Sequence, residues 1–344
     1  MKIAIIGGGM AGCALACVLR ETGAEPVIYE AGPTLASGAS GNSCGLYNPR
    51  FSALRGAESD FYAAAYSQAL RHFRSLEDID WTPCGSLHLM TSDKIQGRLH
   101  RTCANWGWDA AHMRLVDANE ASQLAGIELH HDALYLPEGG SVSPKKLCAV
   151  YARNVEVHLN TRIEKLDDLD ASITVLAGGP AVAKFAPTLP LIPVRGQITQ
   201  VTATAASAAL KCNICHSGYM TPARDGVHTL GATFQPDQME TALRDEDDQE
   251  NIGKLAEIVP GLEQGLKTVG QRASVRATSR NRFPIIGKLP GHDAVYISAA
   301  HGSYGILSSL MGAHLLADMI LDRPPCLPSD VIKALSPQRF KKRG

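Results

Sequence analysis

Three glycines near the amino terminus have the spacing of a phosphate-binding turn. Gly7, Gly9 and Gly12 form the pattern G-x-G-x-x-G. In such a turn the first glycine permits the tight bend, the second lets the backbone approach a pyrophosphate, and the third lets a helix pack closely on the sheet. Glu30 lies where a carboxylate would accept hydrogen bonds from the hydroxyls of an adenosine ribose. This pattern predicts dinucleotide binding, with a glycine-rich turn that binds no ligand as the alternative.

The residues around the turn predict the elements that would position it. The apolar run Ile3–Ile6 suits a buried parallel strand, and small residues such as Ala14 favour close packing of the following helix. Gly23 is expected to end that helix, and a second strand leads to Glu30. The segment from 2 to 30 therefore predicts strand, turn, helix and strand in register.

A second glycine-containing turn lies near the other end of the chain. The run 295–300 predicts a strand, 301–305 a turn and 306–321 a helix. A helix N-terminus offers free N–H groups and the positive end of a dipole, which favour an anion or a developing negative charge. A flavin would use such a terminus at the N1/C2=O edge of its ring, whereas a simple packing turn is the alternative.

The predicted secondary structure changes type several times along the middle of the chain, which indicates interleaved domains. A Gly/Ser/Asn-rich loop spans Gly38–Gly45, and residues 178–179 follow an apolar strand at 173–176. The pattern predicts helices at 58–76 and 143–153, strands at 86–90, 196–202 and 228–234, and an exposed, acid-rich helix at 245–259.

Composition narrows the possible partners and compartment. The 344 residues favour two domains, and 33 Lys+Arg against 34 Asp+Glu give a net charge of −1, which offers no overall attraction for a polyanion. Glycines interrupt the apolar start, so we expect neither a signal peptide nor a membrane segment. Nine cysteines, an odd number, favour reduced thiols and a cytoplasmic setting. Cys212 and Cys215 form one C-x-x-C without a second ligand pair, and we predict no metal site.

Motifs spread over nearly the whole chain resemble the D-amino-acid oxidase group of FAD-dependent amine oxidoreductases, which includes glycine oxidase and sarcosine oxidase. Within that group the chain is most similar to the oxidoreductase domains of bifunctional enzymes that make 5-methylaminomethyl-2-thiouridine in tRNA. The motifs are the turn 7–12, Glu30, Ala39–Tyr47, Val194–Gln197, Gly218–Pro222, Gly231–Thr233, Asp245–Asn251, Val275–Arg280, Pro284–Gly287, His301–Ile306 and Ala334–Phe340.

The resemblance implies an α/β fold, with a Rossmann-like FAD-binding domain and an inserted, mostly antiparallel α+β substrate domain. We expect the FAD-binding domain to comprise 1–80, 141–193 and 270–344, and the substrate domain 81–140 and 194–269. FAD is the implied cofactor. The residues expected to bind it are Gly7, Gly9, Met10, Ala11, Gly12, Glu30, Ala31, Ser40, Gly41, Asn42, Gly178, Gly302, Ser303, Tyr304, Gly305 and Ile306.

The resemblance also implies a reaction and its site residues. The carboxymethylaminomethyl amine of a tRNA wobble uridine would be oxidised, and hydrolysis of the imine would release glyoxylate. Arg276 matches the family's carboxylate-binding arginine, Tyr219 a tyrosine that assists it, and Tyr304 stands where the tRNA enzymes typically carry an arginine. Asn281 likewise replaces an acid. His301 matches a histidine of the broader group, although a structural role is the alternative for it.

The partner is therefore expected to be tRNA, with a small-molecule amine such as glycine, sarcosine or a D-amino acid as the alternative substrate. A non-catalytic flavin-binding scaffold is a further alternative. From a length of 344 residues we expect the methyltransferase half of the bifunctional enzymes to be missing. Between 264 and 292 there are six Lys or Arg and no Asp or Glu, and 339–343 is also basic, so both segments would attract phosphates if they share a face.

Overall fold

A computed structural model describes residues 1–340 of the chain. Its helices are α1 Met10–Glu21, α2 Ala57–Arg74, α3 Asp93–Trp106, α4 Ala118–Ala125, α5 Pro144–Tyr151, α6 Asp245–Ile258, α7 Gly305–Ile320 and α8 Ser329–Leu335. Residues 341–343, part of the basic terminus, lie outside the described residues.

The strands follow the same chain order. They are β1 Lys2–Ile6, β2 Glu25–Tyr29, β3 Gly45–Leu46, β4 Ser86–Leu89, β5 Arg114–Val116, β6 Ala133–Leu136, β7 Ser141–Val142, β8 Glu156–His158, β9 Ile173–Leu176, β10 Leu191–Thr202, β11 Asn213–Cys215, β12 Tyr219–Met220, β13 Val227–Gly231, β14 Gln235–Pro236, β15 Thr268–Ser279, β16 Ile285–Lys288 and β17 Val295–Ala299.

The first sheet is mainly parallel and carries both glycine-containing turns. Its order is β16-β17-β9-β1-β2-β8, and only β16 runs antiparallel to its neighbour. Ile3, Ile5 and Ile28 are fully buried between the helices that cover it, as expected for a doubly covered parallel sheet. Because β1, β9 and β17 are parallel, the turns that follow them meet at one edge, which is where ligands bind in open α/β sheets.

The second sheet has nine strands and is almost entirely antiparallel. Its order is β14-β10-β13-β12-β11-β4-β6-β5, with β15 paired to β10, and only β4 and β11 run parallel to each other. The ribbon of β10 and β15 pairs from Leu191–Ser279 to Val201–Thr268. The expected fold class is confirmed. The domain boundaries predicted at 194 and 270 each fall inside one strand of this ribbon, because β10 begins at Leu191 and β15 at Thr268.

Local patterns located most elements correctly. Helix α5 begins at Pro144 with Ser143 as its N-cap, and Gly23 follows α1 with a φ of +81°, as a C-terminal stop requires. The strand predicted to reach 234 ends at Gly231 instead. A Cβ at Gly231 would lie 2.7 Å from the Tyr219 hydroxyl, so the chain meets that side chain closely where the strand ends.

The prediction that α6 is an exposed acidic helix holds for one of its faces and is wrong for the other. Asp247, Asp248 and Asn251 are buried, because the helix lies on β10 and these side chains hydrogen-bond to the strand. The remaining acids of the helix, such as Glu246 and Glu250, are exposed.

Across the part of the chain that the structure describes, no helix has both the length and the apolar content needed to cross a membrane.

Candidate functional site

A cavity of about 730 Å³ runs along the edge where the parallel strands end and continues beneath the second sheet. Its volume lies within the range of small-molecule and cofactor sites. The lining combines the turns after β1, β9 and β17 with the loop Gly38–Gly45 and one face of the β10–β15 ribbon.

The first glycine turn has little room for side chains. Gly7 has a φ of +116°, and a Cβ there would lie 2.7 Å from the backbone of Ala177. A Cβ at Gly12 would lie 1.9 Å from the carbonyl oxygen of Gly7, so this glycine lets α1 start directly against the turn. Helix geometry leaves the amides of Ala11 and Gly12 without intrahelical acceptors. The turn therefore presents the positive end of α1 to the cavity.

Glu30 and Ser40 hold the turn from either side. The carboxylate of Glu30 accepts hydrogen bonds from the amides of Gly8 and Gly32, both at 2.7 Å. The hydroxyl of Ser40 accepts from the amide of Met10 at 2.9 Å. Glu30 also lines the cavity. Each carboxylate oxygen has a further lone pair, so the side chain can still accept from a ligand hydroxyl.

An arginine of the second sheet anchors the Gly38–Gly45 loop. Arg272 donates to the side-chain oxygen of Asn42 at 3.0 Å and to the carbonyl oxygens of Ser37 and Gly38, at 3.3 and 2.5 Å. A Cβ at Gly41 would lie 2.3 Å from its guanidinium. Arg272 belongs to the predicted basic stretch, but its hydrogen-bonding capacity is largely used within the protein.

The turn after β17 leads directly into α7. Gly302 has a φ of +56°, and Ser303 through Ile306 line the cavity. His301 supports the turn by hydrogen bonds with Ser298 at 3.0 Å and Ser308 at 2.9 Å. Burial lowers the pKa of His301 to about 4, so the ring is neutral near pH 7. Its two hydroxyl partners favour the structural alternative for this residue.

Arg276 projects from β15 toward the same turn. Its guanidinium donates to the hydroxyl of Ser303 at 2.8 Å and to the carbonyl oxygen of Thr233 at 3.4 Å. A Cβ at Gly196 would lie 1.8 Å from the guanidinium, so this glycine makes the space in which it lies. Burial lowers the pKa of Arg276, and no carboxylate pairs with it among residues 1–340.

Two tyrosines complete this part of the cavity. Burial raises the pKa of Tyr219, with Arg276 near enough to oppose the rise. Burial likewise raises the pKa of Tyr304, whose ring lies 5.3 Å from that of Tyr62. Both phenols are therefore neutral at physiological pH and can donate or accept hydrogen bonds.

Most of the residues predicted to form the site come together, and a few do not. The cavity lining contains Gly7, Gly9, Met10, Ala11, Glu30, Ser40, Asn42, Gly178, Tyr219, Arg276 and Gly302–Ile306. Gly12, Ala31 and Gly41 are absent from the lining. Gln197, which ends the family motif Val194–Gln197, is buried, with its side chain bonded to Asp248 and to the backbone of Arg244 on the opposite face of β10.

Sequence reasoning missed several lining residues. Asn48, Arg50, His88 and Arg98 come from segments without a recognised motif, and the fold alone brings them to the cavity. Ser274 could have been found from the sequence. Successive side chains of a strand point to opposite faces, so Ser274, two residues before Arg276, lies on the same face as that arginine.

The remaining chemical candidate is the C-x-x-C pair, of which only Cys215 lines the cavity. Cys212 and Cys215 are buried free thiols whose pKa values burial raises. Within residues 1–340, no group of three or more His, Cys, Asp or Glu could hold a metal ion.

Comparisons with known proteins place these features in context. The family profile described as "DAO: FAD dependent oxidoreductase" matches residues 2–319. The tRNA 5-methylaminomethyl-2-thiouridine biosynthesis bifunctional protein MnmC of Chromobacterium violaceum is 32% identical over 391 residues, and that of Nitrosospira multiformis is 34% identical over 375 residues. The matches cover 98% and 97% of this chain but 59% of each relative, so the chain spans well under two thirds of their length.

Solved structures share the fold at lower sequence identity. Glycine oxidase from Geobacillus kaustophilus superposes with a TM-score of 0.85 at 22% identity, covering 98% of this chain and 99% of that one. Iminodiacetate oxidase from Chelativorans superposes with a TM-score of 0.79 at 20% identity, covering 97% and 98%.

Proposed function

The chain belongs to the DAO family of FAD-dependent oxidoreductases, and from this premise we propose that it oxidises the carboxymethylaminomethyl group of a tRNA wobble uridine. The products are aminomethyluridine and glyoxylate. The curated relatives named as tRNA 5-methylaminomethyl-2-thiouridine biosynthesis proteins support the substrate.

The cavity fits FAD as the cofactor. The turn 7–12 and the start of α1 suit a pyrophosphate, and Glu30 suits a ribose. The N-terminus of α7, reached through residues 302–306, suits the electron-rich edge of the flavin ring. When bound, FAD would accept a hydride, and with it two electrons, from the carbon beside the substrate amine.

The observation that carries the proposal is the environment of Arg276. A half-buried guanidinium that is bonded only to a hydroxyl and a carbonyl oxygen lacks a compensating charge, which is costly in a folded protein. A substrate carboxylate would supply that charge in a bidentate geometry. Both the carboxymethylaminomethyl group and free glycine carry this carboxylate next to the amine.

The other side chains then have defined tasks. Tyr219 lies near Arg276 and would hydrogen-bond the same carboxylate, and these two contacts would position the reacting carbon in the cavity. Loss of hydride from the carboxymethyl carbon and of a proton from nitrogen gives an imine. Addition of water to that imine breaks the carbon–nitrogen bond, leaving the amine on the uridine and releasing glyoxylate.

The test is nucleoside analysis of tRNA that retains the carboxymethylaminomethyl group, after incubation with the purified, FAD-loaded protein. Mass spectrometry should show loss of that group from the wobble uridine, with an equal amount of trapped glyoxylate. Gly9→Leu provides the cofactor control, since a Cβ at Gly9 already lies 3.1 Å from the Ser40 hydroxyl and a larger group would obstruct the turn.

Parallel incubations with glycine, sarcosine and D-alanine separate the alternatives. Rapid oxidation of a free amino acid with unchanged tRNA would establish the small-molecule oxidase. A flavin that none of these substrates reduces would establish the scaffold.

A further inference from the structure

Three arginines surround the entrance of the cavity, and two of them lack an internal partner. Arg50, Arg98 and Arg282 all line the cavity, and all three lie near enough to Tyr304 to oppose the rise in its pKa that burial causes. Arg50 pairs with Glu58 at 3.0 Å. Arg98 and Arg282 are exposed and form no ion pair with any described residue. Because exposed lining residues lie where a cavity meets solvent, the entrance carries two uncompensated positive charges.

Arg282 is held beside an exposed aromatic ring. Its guanidinium lies 5.1 Å from the ring centroid of Phe234, whose side chain remains 41% exposed. The backbone of Arg282 is fixed as well, because its carbonyl oxygen accepts a hydrogen bond from Arg50 at 2.8 Å. A guanidinium stacked near an exposed ring forms a flat, cationic surface on which a nucleobase can stack.

We propose that Arg98, Arg282 and Phe234 form a rim that binds the single-stranded RNA flanking the target nucleotide. Arg98 binds a backbone phosphate, and the Arg282–Phe234 surface stacks a neighbouring base. This proposal rests on the proposed function, since it assigns residues for the polymer part of the same substrate.

The positions of the arginines favour binding of RNA at the rim over binding of a small substrate there. A free amino acid has one carboxylate, and Arg276 already provides its partner inside the cavity. Arg98 and Arg282 lie at the exposed entrance and would find no second anion on such a molecule. A nucleic-acid strand offers a phosphate at every nucleotide and bases that every aromatic surface can stack.

The basic stretch of 264–292 contributes only partly to this rim. Arg272, Arg276 and Arg282 line the cavity, whereas Lys267, Arg280 and Lys288 do not. Arg282 is therefore the member of that stretch that combines exposure with a position at the entrance.

The experiment uses the FAD-loaded protein, a synthetic anticodon stem-loop RNA bearing the carboxymethylaminomethyl uridine, and the same modified uridine as a free nucleoside. Binding of the stem-loop is measured by fluorescence anisotropy at several salt concentrations. Turnover of both substrates is measured as kcat/KM. The variants are Arg98→Ala, Arg282→Ala and Phe234→Ala, and the matched controls are Arg101→Ala, on the same helix as Arg98, and Arg323→Ala, another exposed arginine outside the cavity.

We expect each arginine variant to weaken stem-loop binding about tenfold and to reduce the slope of log K against log salt by about one. Phe234→Ala should weaken binding about five- to fiftyfold with an unchanged slope, because it removes stacking and no charge. The ratio of kcat/KM for stem-loop to that for nucleoside should fall in all three variants. The two controls should match the wild type.

Two results would overturn the rim: stem-loop binding in the three variants equal to that of the wild type, or no binding by the wild-type protein. Failure of the proposed function has a different signature. If the wild type leaves the modified uridine unchanged while the three variants lose binding selectively, the rim stands and the reaction does not. If the wild type oxidises the uridine and the variants bind as it does, the reaction stands and the rim does not.

Discussion

Arg195 and Arg276 lie in the same two-stranded ribbon, but their side chains project from opposite faces. Val194 pairs with Arg276 and Arg195 with Val275, so the alternation of side chains sends Arg276 into the cavity and Arg195 toward α6. Arg195 is fully buried and donates to the carboxylate of Asp247 at 2.5 Å. Arg276 has no such acid among the described residues. The difference separates an arginine whose counter-charge is built into the fold from one that, in the proposed function, takes its counter-charge from the substrate.

A network of hydrogen bonds between buried side chains covers the face toward α6. Thr199 donates to Asp248 at 2.6 Å, Gln197 donates to the same carboxylate oxygen at 3.0 Å, and Asn251 donates to the backbone carbonyl of Gln197 at 3.1 Å. Gln271 of β15 also donates to Asp248. Since buried polar groups stabilise a fold only when they are paired, this network fixes the ribbon from behind.

The two faces are connected through Thr233. The amide of Gln197 donates to the Thr233 hydroxyl at 2.9 Å, and the carbonyl oxygen of Thr233 accepts from Arg276 at 3.4 Å. The network behind the ribbon thereby helps to set the position of the arginine in front of it.

Breaking the internal pair should have the largest effect on stability. Arg195→Met leaves Asp247 buried without its partner and should lower the free energy of unfolding by about 3–5 kcal/mol. Chemical denaturation at saturating FAD measures this loss. The double variant Arg195→Met with Asp247→Leu should recover most of it, because both charges are then gone. A loss below about 1 kcal/mol in the single variant would show that Asp247 is not held as a buried anion.

Removing the cavity arginine should affect the reaction and spare the fold. Arg276→Ala should cost about 2–4 kcal/mol of substrate stabilisation, because a charge-assisted contact disappears and the substrate carboxylate is left unpaired. Anaerobic stopped-flow measurement of flavin reduction should show a fall of about 30- to 1000-fold at subsaturating substrate. The FAD content and the free energy of unfolding should stay near those of the wild type, in contrast to Arg195→Met. An unchanged reduction rate would remove Arg276 from the site.

His301, which supports the turn after β17, should make the free energy of unfolding depend on pH. Burial holds the pKa of His301 at about 4, below the unfolded value of 6.5, so the unfolded state binds the proton more tightly. The buried, neutral imidazole therefore contributes about 2–3 kcal/mol to the free energy of unfolding. This contribution is complete above pH 6.5 and is lost as the pH falls toward 4. Denaturation curves between pH 7 and 4 measure the effect. His301→Asn should remove this share of the dependence, while other histidines whose pKa burial lowers, such as His88 and His216, supply the rest. The same change at exposed His130 is the control.

The smallest expected effect tests the connection between the two faces. Thr233→Val keeps the carbonyl that contacts Arg276 but removes the hydroxyl that accepts from Gln197, so a buried amide loses its partner at a cost of about 1–2 kcal/mol. Stability should fall by that amount, and KM for a carboxylate substrate should rise about threefold while kcat changes less. Thr229→Val, at a buried threonine of β13, is the control. Equal KM values in the two variants would show that the hydrogen-bond network behind the ribbon has no effect on substrate binding in the cavity.

Local sequence patterns were sufficient to predict much of the part of the cavity that the glycine-containing turns form. The turn at 7–12, the start of α5 at Pro144 and the strand–turn–helix near 295–320 depend on backbone conformation and short-range spacing, which neighbouring residues largely determine. The family resemblance added Arg276 and Tyr219, and both line the cavity.

The acid-rich helix shows where local reasoning failed. Acids signal solvent exposure when only the helix is considered, yet Asp247 and Asp248 lie against β10 because their partners are Arg195, Gln197 and Thr199. Those partners are some fifty residues away in the sequence, and no periodicity within the helix identifies them.

The sequence by itself determined the strand, turn and helix units, the cofactor family and the presence of an arginine suited to a carboxylate. Only the tertiary structure decided which arginine has an internal partner and which faces the cavity, and which arginines meet at the entrance. The physical reason is that cross-strand register and helix docking set the distances between charges far apart in the chain. In a protein interior these distances determine whether a charge is compensated or left to bind a ligand.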